Sequence, residues 1–559
     1  MENIVYKIIS SQRNRWIVAL IVLFSMLGAI LMLPSKMVKA KMLPAKSENT
    51  FTIYVDTATN ASIQETKRVT RCVVNYLKKE KEVLNMNINL AQGAPLDYAG
   101  LVKGSAFKNG KNQAEIVVNL SDKNEREEPS YMMVHRIRPE LHALCGTIMP
   151  HTSIRFIEMP SGPPTLASIV IELFGKDNRL LRHTIERVST VLSQTEGLVD
   201  VDIMQDDFYT KYNLIPDKEK IIRSGLSVDQ VNQITYLAFK GSAVAVKNTH
   251  NQQDQIPVFL RLDKESRTLE ANSKSSLHAK LSSLRLVNRQ GMMIPLSELI
   301  SIEGIRSSPT IFRKNLKNYV AVTAECDLVS QVYPLLDARE KILKSLSDEF
   351  NITKVEGLST YMFDLNLVSK TSGERMLLRW DGEMKVSLDT FRDLGLAFIS
   401  ALVLMFLLIV VYYKSFALSV IVLLSSFLSI VGVIVGHWIT DKLQLALLDT
   451  HFFLTATSLI GFISLMGISA RSSLLLIDFS RTLIANGMEQ KRAISLATAT
   501  RAKPIMLTAV AIVLGSLLLA TDPIFGGLGV ALIFGSIAST LVSLFFIPVL
   551  LSNIKALKP

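Results

Sequence analysis

Residues 455–479 read TATSLIGFISLMGISARSSLLLIDF. A helix rising 1.5 Å per residue crosses a bilayer core in about 20 residues, so this run is long and apolar enough to span one. It carries one cation, Arg471, about eight residues or ~12 Å from the helix's C-terminal end. A guanidinium at that depth is expensive, and an intramembrane charge is by default functional and paired. Snorkelling to the nearer interface is the alternative. It is weakened because helical side chains lean toward the helix N-terminus, here the bilayer centre. The acid at hand, Asp478, lies at i+7, about 10 Å away along the same helix. The other apolar runs hold no acid at mid-depth. Arg471 is therefore a buried cation without its counter-ion, and a partner chain is expected to supply the carboxylate.

Outward from this stretch the chain shows further apolar runs at residues 16–33, 394–413, 416–436, 505–520 and 524–551, with the central run extending over 452–479. The first run is too long for a signal-peptide core and lacks a small-x-small cleavage site after it, so it reads as an anchor. Short basic segments set the orientation. Lys7, Arg13 and Arg15 precede the first run, and Lys414 follows the second. Arg481, Lys491, Arg492, Arg501 and Lys503 lie between the fourth and fifth, and Lys555 and Lys558 end the chain. Six crossings put all of them on one side, which the positive-inside rule makes cytoplasmic. Both termini are then cytoplasmic and the intervening polar region is periplasmic, in the inner membrane of a cell with an outer one.

Composition agrees. With 49% hydrophobic residues and 20% charged in 559 residues, the chain is neither disordered nor wholly embedded in lipid. The formal charge of +12 is explained by the basic cytoplasmic segments and needs no nucleic acid. Three cysteines exclude a disulfide scaffold.

The external region repeats a pattern. Strand-like alternation at 51–57, a capping box at Ser62 and Glu65, a helix to about 79, strands at 84–90 and 114–120, a helix at 130–144 and a strand at 153–158 give β-α-β-β-α-β. That is a ferredoxin-like order. After a turn at 160–164 it restarts with strand 167–173, helix 178–194 and strand 199–205, and resumes at 318–326 and 331–346. The insert between has strand signals at 256–263 and 281–287 and a hairpin turn at 289–291. The expected class is an α-helical membrane protein of one plus five transmembrane helices with an α+β periplasmic domain. Its expected divisions are a cytoplasmic N-terminus (1–15), a helix (16–33), a first module (34–160), a second module (161–207 and 317–360), an insert (208–316), a connector (361–392), a five-helix bundle (393–551) and a cytoplasmic tail (552–559).

Other features carry less. Cys72 and Cys145 fall on or near the two helices of one module, where a disulfide is possible, although three isolated small core residues are favoured. Met292 and Met293 read as packing rather than a copper site. Neither a metal-spaced His/Cys cluster nor a phosphate-cradling loop is found, so no cofactor and no enzyme activity are expected. Gly461, Gly467, Gly526, Gly527, Gly529 and Gly535 read as close helix packing.

The 455–479 stretch, Trp380-Asp381-Gly382-Glu383, TFRDLGLAF at 390–398, Gly436-His437-Trp438, RAKPIMLT at 501–508 and DPIFGGLG at 522–529 resemble the resistance-nodulation-division (RND) efflux permeases of the acriflavine-resistance type. GPPTLASIVIELFG at 162–175 resembles the opening of that family's second ferredoxin-like subdomain. The resemblance covers the second half of such a permease. It implies two parallel halves, a trimer, and partnership with a periplasmic adaptor and an outer-membrane channel. It implies that Arg471 takes the position of a cation facing paired membrane aspartates on an N-terminal-half subunit. Arg501 and Thr508 match the Arg and Thr opening the next helix. Thr508 back-bonding to its own helix and Arg501 as a plain cytoplasmic charge remain open. The 104–111 loop aligns with the family's gate loop, with Phe107 toward substrate and Gly104, Asn109 and Gly110 shaping it; an ordinary hairpin loop is the favoured alternative. Ser472, Ser425, Ser426 and the long 440–451 loop depart from the family.

The function this implies is the C-terminal half of a split, proton-driven exporter of amphiphilic or drug-like compounds. The alternatives are a non-transporting remnant of such a permease, or a secretion accessory subunit of the same one-plus-five layout. The latter would normally keep an acidic membrane motif, which is absent here.

Overall fold

The computed structural model describes residues 1–159, 161–162, 165–248, 255–269, 273–355 and 363–554. Most of the expected turn at 160–164 lies outside the described residues, as do Lys555 and Lys558. The chain forms two compact units, Met1–Gln205 with Ile311–Pro559, and Asp206–Thr310.

In the larger unit, α1 (Glu2–Ser10) is amphipathic and buries Val5 and Ile9 in a cluster with Ile409, Tyr413 and Leu551. The apolar α2 (Gln12–Met32) follows. Strands β1 (Thr50–Asp56), β2 (Val83–Leu90), β3 (Gln113–Leu120) and β4 (Ser153–Ile157) make an antiparallel sheet in the order β2-β3-β1-β4. Between them run α3 (Ile63–Leu77), the short α4 (Tyr98–Lys103) and α5 (Ser130–Cys145). Ser62 and Glu65 cap α3 reciprocally, satisfying two otherwise orphaned N–H groups. Ile53 pairs with Ile116 and Phe156, and this face of the sheet packs with Val69, Val73, Ile137 and Leu141 of the helices. Cys72 and Cys145 are bonded, with Cα atoms 5.7 Å apart. This corrects the expectation of three isolated thiols: two helices on one face bring together residues 73 apart in sequence. Cys326 alone is free among the described residues.

The second sheet begins with β5 (Ile169–Phe174), α6 (Asn178–Ser193) and β6 (Leu198–Ile203). The smaller unit then intervenes. It contains β7 (Thr210–Pro216), α7 (Lys218–Arg223), α8 (Val228–Phe239), β8 (Ser242–Lys247), β9 (Ile256–Leu260), α9 (Lys264–Arg267), α10 (Lys274–Ser283), β10 (Arg285–Val287), β11 (Met293–Pro295), α11 (Leu296–Leu299) and β12 (Ile300–Arg306). Ile221, Val231, Leu281, Leu296 and Leu299 form its core. Only the last part of the strand expected at 281–287 is a strand, because Leu281 faces that core from the end of α10. Gly291, at φ +81°, turns the β10–β11 hairpin at the expected place. Met292 and Met293 are exposed rather than packed.

The chain returns through β13 (Arg313–Lys314), β14 (Lys317–Cys326), α12 (Val332–Leu346), β15 (Phe350–Lys354), β16 (Leu365–Ser369) and β17 (Arg375–Asp381). The order across the sheet is β6-β14-β5-β17-β16-β15. Residues 365–381, expected in a connector, are thus two strands of the module. Met376, Leu378 and Trp380 alternate inward into its core, which a mobile connector would leave wet.

Five more helices follow: α13 (Glu383–Tyr413), α14 (Phe416–Leu448), α15 (Ala456–Ala485), α16 (Gln490–Ala520) and α17 (Gly526–Leu541), the last continuing through Val542–Phe546 into α18 (Ile547–Ser552). Among the described residues, six helical segments are long and apolar enough to cross a membrane: α2, α13, α14, α15, α16 and Gly526–Ser552. Hydropathy alone underestimates three of them. α13 starts at Glu383, α16 at Gln490, and α14 runs to Leu448, so most of the long loop expected at 440–451 is helix.

Candidate functional site

Thr455 opens the decisive stretch by capping α15 in a reciprocal box with Ser458. From there α15 turns Arg471 onto an exposed face of the bundle. Among the described residues Arg471 makes no hydrogen bond or ion pair. Asp478 is engaged elsewhere: Tyr413 donates its hydroxyl to it at 2.6 Å, and Arg481 lies over the Tyr413 ring at 5.6 Å. Thr508 is exposed on α16 and donates to the Pro504 carbonyl at 2.9 Å. That carbonyl belongs to the same helix, so the hydroxyl is occupied by back-bonding. Arg501 stacks over Phe479 at 4.9 Å. No hydrogen bond joins Arg471, Thr508 and Arg501 to one another among the described residues.

The buried side of the same helix is polar. Ser425 meets Ser473 at 2.7 Å, and Ser426 donates to the Met466 carbonyl. Deeper along the seam, His437 is fully buried, with Nδ1 2.8 Å from the Val433 carbonyl and Nε2 2.8 Å from the Ser458 hydroxyl. A carbonyl only accepts, so Nδ1 donates to Val433. Ser458 also meets Thr455, and Thr455 meets Thr457. His437 belongs to the Gly436-His437-Trp438 motif, and the serines and threonines at helical spacing around it are the sequence signal of this polar seam.

The glycines divide. A Cβ on Gly461 would lie 2.7 Å from Ala531, on Gly527 2.2 Å from the Thr455 hydroxyl, and on Gly529 2.4 Å from the Ala520 nitrogen. Gly526 lies closest to the Ala520 carbonyl, at 3.1 Å from such a Cβ. Gly467, expected among them, faces open space and packs against nothing within 4 Å. Gly432, Gly436 and Gly535 are also at close helix crossings.

In the α+β part, Gly104 (φ +92°) ends α4, and the turn beyond it presents Phe107, 82% exposed. Asn109 and Gly110 donate their backbone N–H groups to the Gln113 side chain at 3.2 and 3.1 Å. The segment before β3 therefore contains a short helix and a tight turn rather than a plain hairpin loop.

The two sheets meet through charge. Arg138 donates to Asp200 and Asp327 at 3.3 and 2.8 Å. His135 meets Asp327 at 2.7 Å, Lys103 meets Glu325 at 2.6 Å, and Arg155 meets Asp202 at 2.8 Å. Burial pushes the Glu158 carboxyl beside this interface up to about 7, opposed by Arg138 and aided by Glu325. Burial likewise pushes the Cys326 thiol up. Sequence reading missed this interface, because its residues come from five separated segments.

The AcrB/AcrD/AcrF family pattern matches residues 2–359 and 364–555. Swarming motility protein SwrC of Bacillus subtilis (strain 168) is 21% identical over 570 residues, covering 98% of this chain and 47% of SwrC. Multidrug resistance protein MdtC of Enterobacter sp. (strain 638) is 24% identical over 460 residues, covering 81% of this chain and 40% of MdtC. The crystal structure of a heavy metal efflux pump in crystal form II shares the fold, with a TM-score of 0.69 at 17% identity over 98% of this chain and 51% of that one. The chain spans about half the length of these relatives. With the family pattern matched along nearly all of its length, the chain belongs to the AcrB/AcrD/AcrF family of RND permeases.

Proposed function

We propose that the chain works as the C-terminal half of a proton-driven RND efflux transporter, exporting amphiphilic compounds from the inner membrane or periplasm. The observation that carries this is Arg471: a guanidinium on a membrane-spanning helix with no partner among the described residues. In this reading the complementary half, on a separate subunit in the split arrangement, brings an aspartate pair to that face. Proton uptake by the pair then releases Arg471, and the difference between the two states is what drives transport. Thr508 and Arg501 flank the path, Thr508 by exchanging its backbone acceptor for the relay. The two sheet-and-helix parts act as ferredoxin-like periplasmic modules, and residues 206–310 as the docking insert. Trimeric assembly with an adaptor and an outer-membrane channel completes the pump.

The test is export of amphiphilic dyes in pump-deficient cells, with the chain expressed alone and together with a complementary half. Export that needs both supports the reading, and Arg471→Ala should then return dye accumulation to the level of cells without the pump. Unchanged export by Arg471→Ala would remove the relay role. Export by the chain alone would remove the requirement for a second half. No export in any combination would favour the non-transporting remnant.

A further inference from the structure

Between α2 and β1, residues 38–42 lie against the helix bundle on one edge and against the second sheet's α12 on the other. Ala40 pairs in parallel with Leu454, just before α15. The Lys41 N–H donates to the Leu454 carbonyl at 3.0 Å, and the Leu454 N–H donates to the Lys39 carbonyl at 2.8 Å. The first four N–H groups of a helix have no partner within it. One of these, on Ala456 of α15, donates to the Met42 carbonyl at 3.0 Å. Side chains hold the same edge. The Lys39 ammonium lies 2.9 Å from His451 Nε2, and His451 Nδ1 lies 3.0 Å from the Asp441 carboxylate of α14. Val38 and Met42 are buried at the two ends of the segment.

In an extended chain the N–H and C=O of one residue point to one edge and those of its neighbours to the other. Ala40 therefore turns its own polar groups away from Leu454, toward α12. Its N–H donates to the Tyr333 hydroxyl at 3.3 Å, and its carbonyl accepts from the Ser330 hydroxyl. Ser330 is buried just before α12, and Tyr333 lies in the first turn of that helix. The Lys36 ammonium lies over the Tyr333 ring at 5.5 Å. Adjacent residues of one short segment are thus bonded to two different helices.

We propose that residues 38–42 are a strap that links the N-terminal end of α15 to the start of α12, so that a shift at either end is passed to the other. Such coupling is reciprocal. It gives α15, the helix of Arg471, a route to the second sheet besides the chain connection from β17 into α13. The inference goes beyond the transport reading and depends on neither a partner chain nor export. Gln331 joins α12 to α13 separately, through Ser387 at 2.9 Å.

The experiment is amide hydrogen exchange, read by mass spectrometry on the full chain in detergent. Tyr333→Phe with Ser330→Ala cuts the α12 edge, and the peptide read is 450–457, at the opposite edge. Its exchange should quicken roughly fivefold, the scale of one net hydrogen bond. Ser387→Ala cuts the Gln331 bond instead and should leave that peptide unchanged. Peptides from β1 to β3 report general loosening and should not change in either variant. Unchanged exchange at 450–457 in the double variant overturns the proposal, as does an equal rise in Ser387→Ala or in the β1–β3 peptides. If the double variant loses its cooperative melt, Lys39→Met replaces it. That variant cuts the tie to His451, and a rise is then required at the start of α12, in residues 329–336; no rise there overturns the proposal equally. Export plays no part in the readout, so a chain that transports nothing still tests the strap.

Discussion

Arg138 and Arg471 are both arginines on helices of the same compact unit, and they are treated in opposite ways. Arg138 is buried between two modules, where Asp200 and Asp327 take its guanidinium. Arg471 stands on an outer face of the bundle and takes nothing among the described residues. The apolar surfaces differ likewise within the bundle. More than half of the residues in the most apolar stretch of α14 are buried, whereas almost none are in those of α13 and α2. A charged interface that is internally satisfied belongs to the fold of this chain. A cation and helix faces left open belong to whatever surrounds it, lipid or a complementary half.

The contrast can be broken most forcefully at Arg138. Arg138→Met leaves two carboxylates without their shared cation, and removing one partner of a buried pair costs about 3–5 kcal/mol. Chemical denaturation should show this, while Arg471→Leu should leave stability the same or higher. Equal losses would mean that Arg471 is satisfied within the chain after all. A second check concerns the disulfide. Cys72→Ser with Cys145→Ser should lower stability by about 2–4 kcal/mol, because the unfolded chain loses a long closed loop. Maleimide should label one thiol in the untreated, unfolded protein and three after reduction, since only Cys326 is free among the described cysteines.

Smaller effects sharpen the boundary between closed and open helix faces. Gly527→Ala drives a methyl group into the Thr455 hydroxyl and should lower the melting temperature measurably. Gly467→Ala meets open space and should stabilise α15 by up to about 1 kcal/mol through helix propensity. The finest probe is pH. Glu158 has its folded value raised from 4.5 to about 7, so the folded state holds the proton more tightly than the unfolded one. Stability should therefore fall as pH rises from 4.5 to about 7, and Glu158→Gln should flatten that part of the profile. A slope that survives the substitution would assign it to other groups at the interface.

Much of this was legible in one dimension. The β-α-β-β-α-β succession, the capping box at Ser62 and Glu65 and the restart near residue 167 followed from periodicity and local hydrogen-bond chemistry. Helix ends did not, since α13, α14 and α16 extend past their apolar cores on amphipathic turns that hydropathy does not register. Strand β17 escaped for a related reason: one of its pairing partners, β5, lies about 200 residues away in sequence, and β16 is a short strand paired with its neighbours β15 and β17. Of the candidate residues, Arg471 was singled out by the energetics of charge in lipid alone, whereas the occupied hydroxyl of Thr508 and the open setting of Gly467 needed coordinates.

By itself the sequence determined that the chain has apolar segments able to cross a membrane, a two-module polar domain with an insert, and a cation within one of those apolar segments. These are consequences of local composition and spacing, which act on each segment separately. Only the tertiary structure decided that Asp478 serves Tyr413, that Cys72 bonds Cys145, that His437 is buried against Ser458, and that Asp56 takes both Lys108 and Arg155. Each of those pairs joins groups distant along the chain or chooses among several local partners, and such choices are settled by packing and by the cost of leaving a buried polar group alone.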